Sequence, residues 1–199
     1  MEETENMKHF TGRELPDNAL KASMADGTPY VLPPWRVNDI ILLAIETLSD
    51  VDYYRDDFDY KKMIREQGIK IKKFSAFSPD NLEKFRKISL SRWEEGICAL
   101  FPHPVTGEQC RMIAYNDNKS AAEVMQIIFH ELAHIILRHT QQSNLGEMEA
   151  TLFSGVAMLL MVLEQQFHIG RMIAEKGDKA MLKGIQEGLM RKFNAQEVL

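Results

Sequence analysis

The sequence predicts an α+β protein in which a small, mainly antiparallel sheet packs on one buried helix, with more helices on the C-terminal side. Three observations carry this. A capping box, Ser120-Ala-Ala-Glu123, opens a nearly all-apolar stretch running to Leu137, the pattern of a helix covered on most sides. Just before it, Gly96 to Phe101 and Cys110 to Tyr115 read as strands joined by a Pro- and Gly-marked turn, His103-Pro-Val-Thr-Gly-Glu. Beyond it, Leu152, Phe153, Val156, Leu159, Leu160 and Leu163 recur by threes and fours, an apolar stripe that must pack on the first helix.

The remaining elements follow in order. Residues 1 to 36 are polar and hold Pro16, Pro29, Pro33 and Pro34 without sustained periodicity, so they are expected to form a mobile extension. Val37 to Leu48 is predicted helical. Asp50 to Tyr60 mixes five aspartates with Tyr53, Tyr54, Phe58 and Tyr60, read as a loop with its aromatics packed inward. Lys61 to Gln67 continues as a helix stopped by Gly68. Ile69 to Phe74 alternates with lysines in the manner of a protected sheet edge, and a helix over Pro79 to Leu90 leads to the hairpin. After residue 165, glycines at 170, 177, 184 and 188 interrupt helical segments. The organisation expected is thus an extension (1 to 36), a core (37 to 165) and a C-terminal helical region (166 to 199).

At 199 residues and 45% hydrophobic content the chain can bury one good core. The N-terminus is acidic and polar, without a basic n-region or apolar h-region, and the longest uncharged apolar run, Gly155 to Leu163, is far short of a membrane span, so no export signal and a cytoplasmic location are expected. The net charge of −5, with no basic recognition helix, disfavours direct contact with nucleic acid. Cys98 and Cys110 flank the predicted hairpin turn but lack metal-site spacing, and are read as reduced, small hydrophobes.

Chemistry concentrates in the predicted buried helix, where residues 130 to 134 read His-Glu-Leu-Ala-His. At i and i+4 the two imidazoles project from one face and can share a metal ion, while Glu131 lies beside them to take a proton from an attacking water. A catalytic zinc needs a third protein ligand. Downstream, Asn144 and Glu147 have the spacing of a helix cap, which gives Glu147 a structural task, whereas Glu149 lies on the inward stripe. Residues two apart on a helix point nearly opposite ways, so only one of the two glutamates is expected at the metal, and the stripe selects Glu149. His103, Tyr115, His139 and His168 are candidates for stabilising an oxyanion. His139 lacks the glycine and spacing of a longer zinc motif and reads as an imidazole at the negative end of the helix dipole.

These residues resemble the ImmA/IrrE-type metallopeptidases: Ile113-Ala-Tyr-Asn-Asp-Asn-Lys-Ser, then His130-Glu-Leu-Ala-His134, then Glu147-Met-Glu149-Ala-Thr-Leu-Phe153-Ser. Ala133 stands where that family usually has Gly, and Thr151 where it has Asn. The resemblance implies a zincin-like domain binding one zinc per chain through His130, His134 and Glu149, with Glu131 as general base. It further implies a site-specific endopeptidase whose substrate is a helix-turn-helix repressor. The other class in view is a metal-binding or inactive peptidase-like module that regulates a partner without hydrolysis; an intact Glu131 argues for the enzyme. Oligomeric state is left open.

Overall fold

The computed structural model describes residues 32 to 176. The predicted extension up to residue 31 and most of the C-terminal helical region lie outside the described residues. Helix α1 spans Pro34–Ser49, with Pro34 in the first turn, where a missing N–H costs nothing. The helix therefore begins three residues before the predicted start at Val37. The acidic, aromatic loop that follows tucks Tyr53 inward, and Asp59 caps α2, Tyr60–Glu66, by accepting from the Lys61 and Lys62 N–H groups. Gly68 then turns the chain at φ 72°, a backbone that favours glycine.

Strand β1, Ile69–Lys73, is followed by a short 3-10 turn and by α3, Pro79–Lys87, capped by Ser78. The hairpin comprises β2, Gly96–Pro102, and β3, Gln109–Tyr115. The sheet order is β1-β3-β2. β2 runs antiparallel to β3, as expected, but β1 runs parallel to it, with Ile71 opposite Ile113. The sheet is thus mixed rather than mainly antiparallel, because β1 joins β3 across the intervening α3 and β2 rather than through a turn. Its lysines face outward, as the edge pattern predicts. Cys98 and Cys110 are both free thiols in different registers of the hairpin.

Both faces of the sheet are covered. Ile97, Ala99, Met112 and Ala114 pack on Phe74, Phe77, Leu82 and Phe85, while Cys98, Ile113 and Tyr115 turn to the main core. That core is centred on α4, Ala121–Ile136, which opens on the predicted capping box and buries Ile127, Ile128, Phe129 and Leu132. Helix α5, Asn144–Phe167, packs on α4 and α1 through Ala150, Phe153 and Ala157. It is long and apolar enough to cross a membrane, with mean hydropathy 1.5, but its inner face is occupied by this packing and carries Glu149 and Glu164. A last described helix, α6, spans Ile169–Lys176. The observed class is α+β.

Candidate metal centre

His130 and His134 stand on the buried face of α4, 3% and 0% exposed, and their Nε2 atoms approach to 3.3 Å. The third group beside them is Glu147: Oε2 lies 3.2 Å from His130 Nε2, and Oε1 lies 3.5 Å from His134 Nε2. Among the described residues these three form a cluster able to hold a metal, one donor atom from each lying within 4.8 Å of the others. Tetrahedral zinc with N or O ligands near 2.0 to 2.1 Å implies donor separations of about 3.3 Å, so the spacing fits the ion.

Glu149, expected as the third ligand, is elsewhere. Its carboxylate receives Arg36 Nε at 2.6 Å and Arg36 Nη2 at 3.1 Å, and its Oε2 lies 2.9 Å from His139 Nε2. The helix start also differs from the expectation. Ser143, not Asn144, is the N-cap, its hydroxyl accepting from the Gly146 N–H. Glu147 is thereby released from capping and meets the histidines at the rim of α5. Glu149 does face inward, as its stripe predicts, but inward there means toward α1. The premise that the two glutamates diverge holds: Glu147 lies beside the histidines, and Glu149 lies with Arg36 and His139.

The segment before β2 closes over the cluster. The Arg92 backbone N–H donates to Glu147 Oε1 at 2.7 Å, the Trp93 ring meets His130 edge-on at 4.9 Å, and Gln142 Nε2 donates to the Ser89 and Ser91 carbonyls. Burial works to raise Glu147, but hydrogen bonds from His130 and the Arg92 N–H outweigh it and hold the carboxyl below its usual range. His134 is pushed down to about 3, by burial first and then by its histidine neighbours, so it stays neutral, the form that binds a metal. Beside Glu147 opens a groove of 490 Å³ lined by Leu32, Val37, Met148, Thr151 and Leu152.

Glu131 is wholly enclosed, and neither carboxylate oxygen has a hydrogen-bond partner. Desolvation lifts its pKa well above the carboxylate range; Ser91 opposes this without forming a regular hydrogen bond, and the charge of Glu147 adds to it. An unpaired buried carboxyl next in sequence to His130 is costly to folding. Its side chain lies against Gly96, where a Cβ would sit 2.8 Å from Glu131 Cγ and 2.7 Å from Cδ. No sequence motif announced that glycine.

The oxyanion candidates disperse. Tyr115 is buried at the end of β3 with its hydroxyl 3.3 Å from Lys61 Nζ, His103 organises the β2–β3 turn, and His168 ends α5 in a left-handed conformation. His139 alone reaches the centre, on its far side. It follows Arg138, which adopts φ 56°, and the chain closes with Arg138 N–H to the Ile135 carbonyl and His139 N–H to the His134 carbonyl. This double closure of a helix end folds the His139 ring back on His134, with Nδ1 atoms 2.8 Å apart.

No family model matches the chain, and no significant match is found among curated proteins or solved structures.

Proposed function

We propose that the chain is a zinc-dependent endopeptidase of the ImmA/IrrE type, zincin-like in fold, cytoplasmic, and directed at a helix-turn-helix repressor. The observation that carries the reading is Glu131: an enclosed, unpartnered carboxyl one residue from a three-donor cluster that suits zinc. His130, His134 and Glu147 would hold the ion. A bound zinc would supply Lewis-acid polarisation of a peptide carbonyl and acidify water. Glu131, next in sequence to His130, would in its ionised form accept the proton of the attacking water and return it to the leaving amine. Trp93 and the Ser89 to Trp93 segment keep bulk water from the histidines.

A second reading, a metal-held module that regulates its partner by binding, is favoured by that same enclosure: at 0% exposure Glu131 meets no solvent. The substitution Glu131→Gln separates the two, since it keeps size and removes basicity. In co-expression with a candidate repressor, the variant is expected to retain zinc and fold while cleavage falls at least ~100-fold. Equal relief of repression by wild type and variant, with the repressor intact in both, refutes the enzyme.

A further inference from the structure

We propose that Arg36, Glu149 and His139 act as a positioning relay that selects the tautomer of His134 and leaves its Nε2 bare toward His130 and Glu147. The inference rests on reading His130, His134 and Glu147 as a metal centre, and extends it to Arg36 of α1, Glu149 of α5 and His139 of the link between α4 and α5.

The directions of the hydrogen bonds follow from one end. Arg36 clasps Glu149 with two nitrogens, at 2.6 and 3.1 Å, and a guanidinium is always charged, so the carboxylate is ionised and can only accept. His139 Nε2, 2.9 Å from Glu149 Oε2, must therefore carry a proton. His139 is taken as neutral, so that its other nitrogen offers a lone pair; a doubly protonated His139 would donate there instead and give His134 the opposite tautomer. His139 Nδ1 lies 2.8 Å from His134 Nδ1, so the proton between them sits on His134. His134 Nε2 is left unprotonated, directed at His130 Nε2 3.3 Å away and Glu147 Oε1 3.5 Å away.

The relay is dry. Glu149 and His134 are 2% and 0% exposed, and the side chains of Arg36 and His139 only 12% and 11%. A carboxylate that orients a metal-bound histidine usually contacts it directly. Here a second imidazole is interposed, which explains why the inward-facing glutamate is not the ligand and why His139 is folded back over the helix end.

The test uses the full-length, metal-free chain labelled with ¹⁵N-histidine, reading tautomers from long-range ¹H–¹⁵N correlations, and chelator competition for zinc affinity. His134 is expected as the Nδ1–H form and His139 as the Nε2–H form. His139→Phe, which keeps a ring but neither hydrogen-bonding group, should weaken zinc binding about 10- to 100-fold. His139→Gln, whose amide supplies one acceptor and one donor, should restore most of it, a rescue that a packing role would not produce. His134 found as the Nε2–H form in wild type overturns the relay even if a variant fails to fold, and so does wild-type affinity in His139→Phe. Zinc binding with the expected tautomers but no repressor cleavage supports the relay while overturning the peptidase reading.

Discussion

Gly96→Ala is the sharpest probe of where Glu131 sits. The new methyl would stand 2.7 to 2.8 Å from Glu131 Cδ and Cγ, about 1 Å inside ordinary carbon contact. Gly96 is buried at the start of β2 and Glu131 is fully enclosed, so neither has an open direction in which to retreat. Overpacking of this kind costs about 1–3 kcal/mol, offset by about 0.4–1 kcal/mol from the stiffer unfolded chain, for a net loss of roughly 1–2 kcal/mol. Relief by moving the carboxyl about 1 Å would lower turnover on the order of 100-fold. Zinc content should be unchanged, because the crowding falls on Glu131, which is not a proposed ligand. Urea denaturation, elemental analysis and repressor cleavage read the three quantities. Gly155→Ala is the control: a Cβ there meets nothing within 4 Å, and removing a helical glycine should stabilise by about 1 kcal/mol. Wild-type stability and cleavage in Gly96→Ala would refute the placement of Glu131 against β2.

Three further outcomes are expected. Glu147→Ala should strip most zinc as measured by elemental analysis; if it retains full metal while Glu149→Ala loses all of it, the ligand assignment is wrong. In metal-free Glu131→Gln, stability should fall by about 2 kcal/mol between about pH 7.5 and about pH 5. The sign follows from His134, whose folded value near 3 lies below its unfolded value: its contribution is complete above about 6.5 and is lost as the pH drops toward 3. The Gln background removes Glu131, whose raised pKa acts in the opposite direction, and a flat urea midpoint across that range would count against a buried neutral His134. Ser143→Ala should cost about 1 kcal/mol through loss of the α5 cap; a larger loss from Asn144→Ala in thermal melts would return the cap to Asn144.

What the sequence determined by itself is local. The Ser120 and Glu123 cap, the apolar run behind it and the i, i+4 spacing specify one helix with both histidines on one face, because helical periodicity is set by the backbone alone. Turn residues marked the hairpin to within a residue or so, and the lysines of β1 announced an edge. Which of Glu147 and Glu149 lies beside the histidines was decided by tertiary structure. Both are helical and 2 residues apart, and only the docking of α5 between α4 and α1 determines which one meets His130 and which one meets Arg36. Arg36 lies 113 residues from its partner, and Gly96 opposes Glu131 from another element, so neither contact leaves a periodic trace. The parallel pairing of β1 is of the same kind: strand partners separated by a helix and a strand are selected by burial of the whole sheet between α3 and α4, a property that no window of sequence contains.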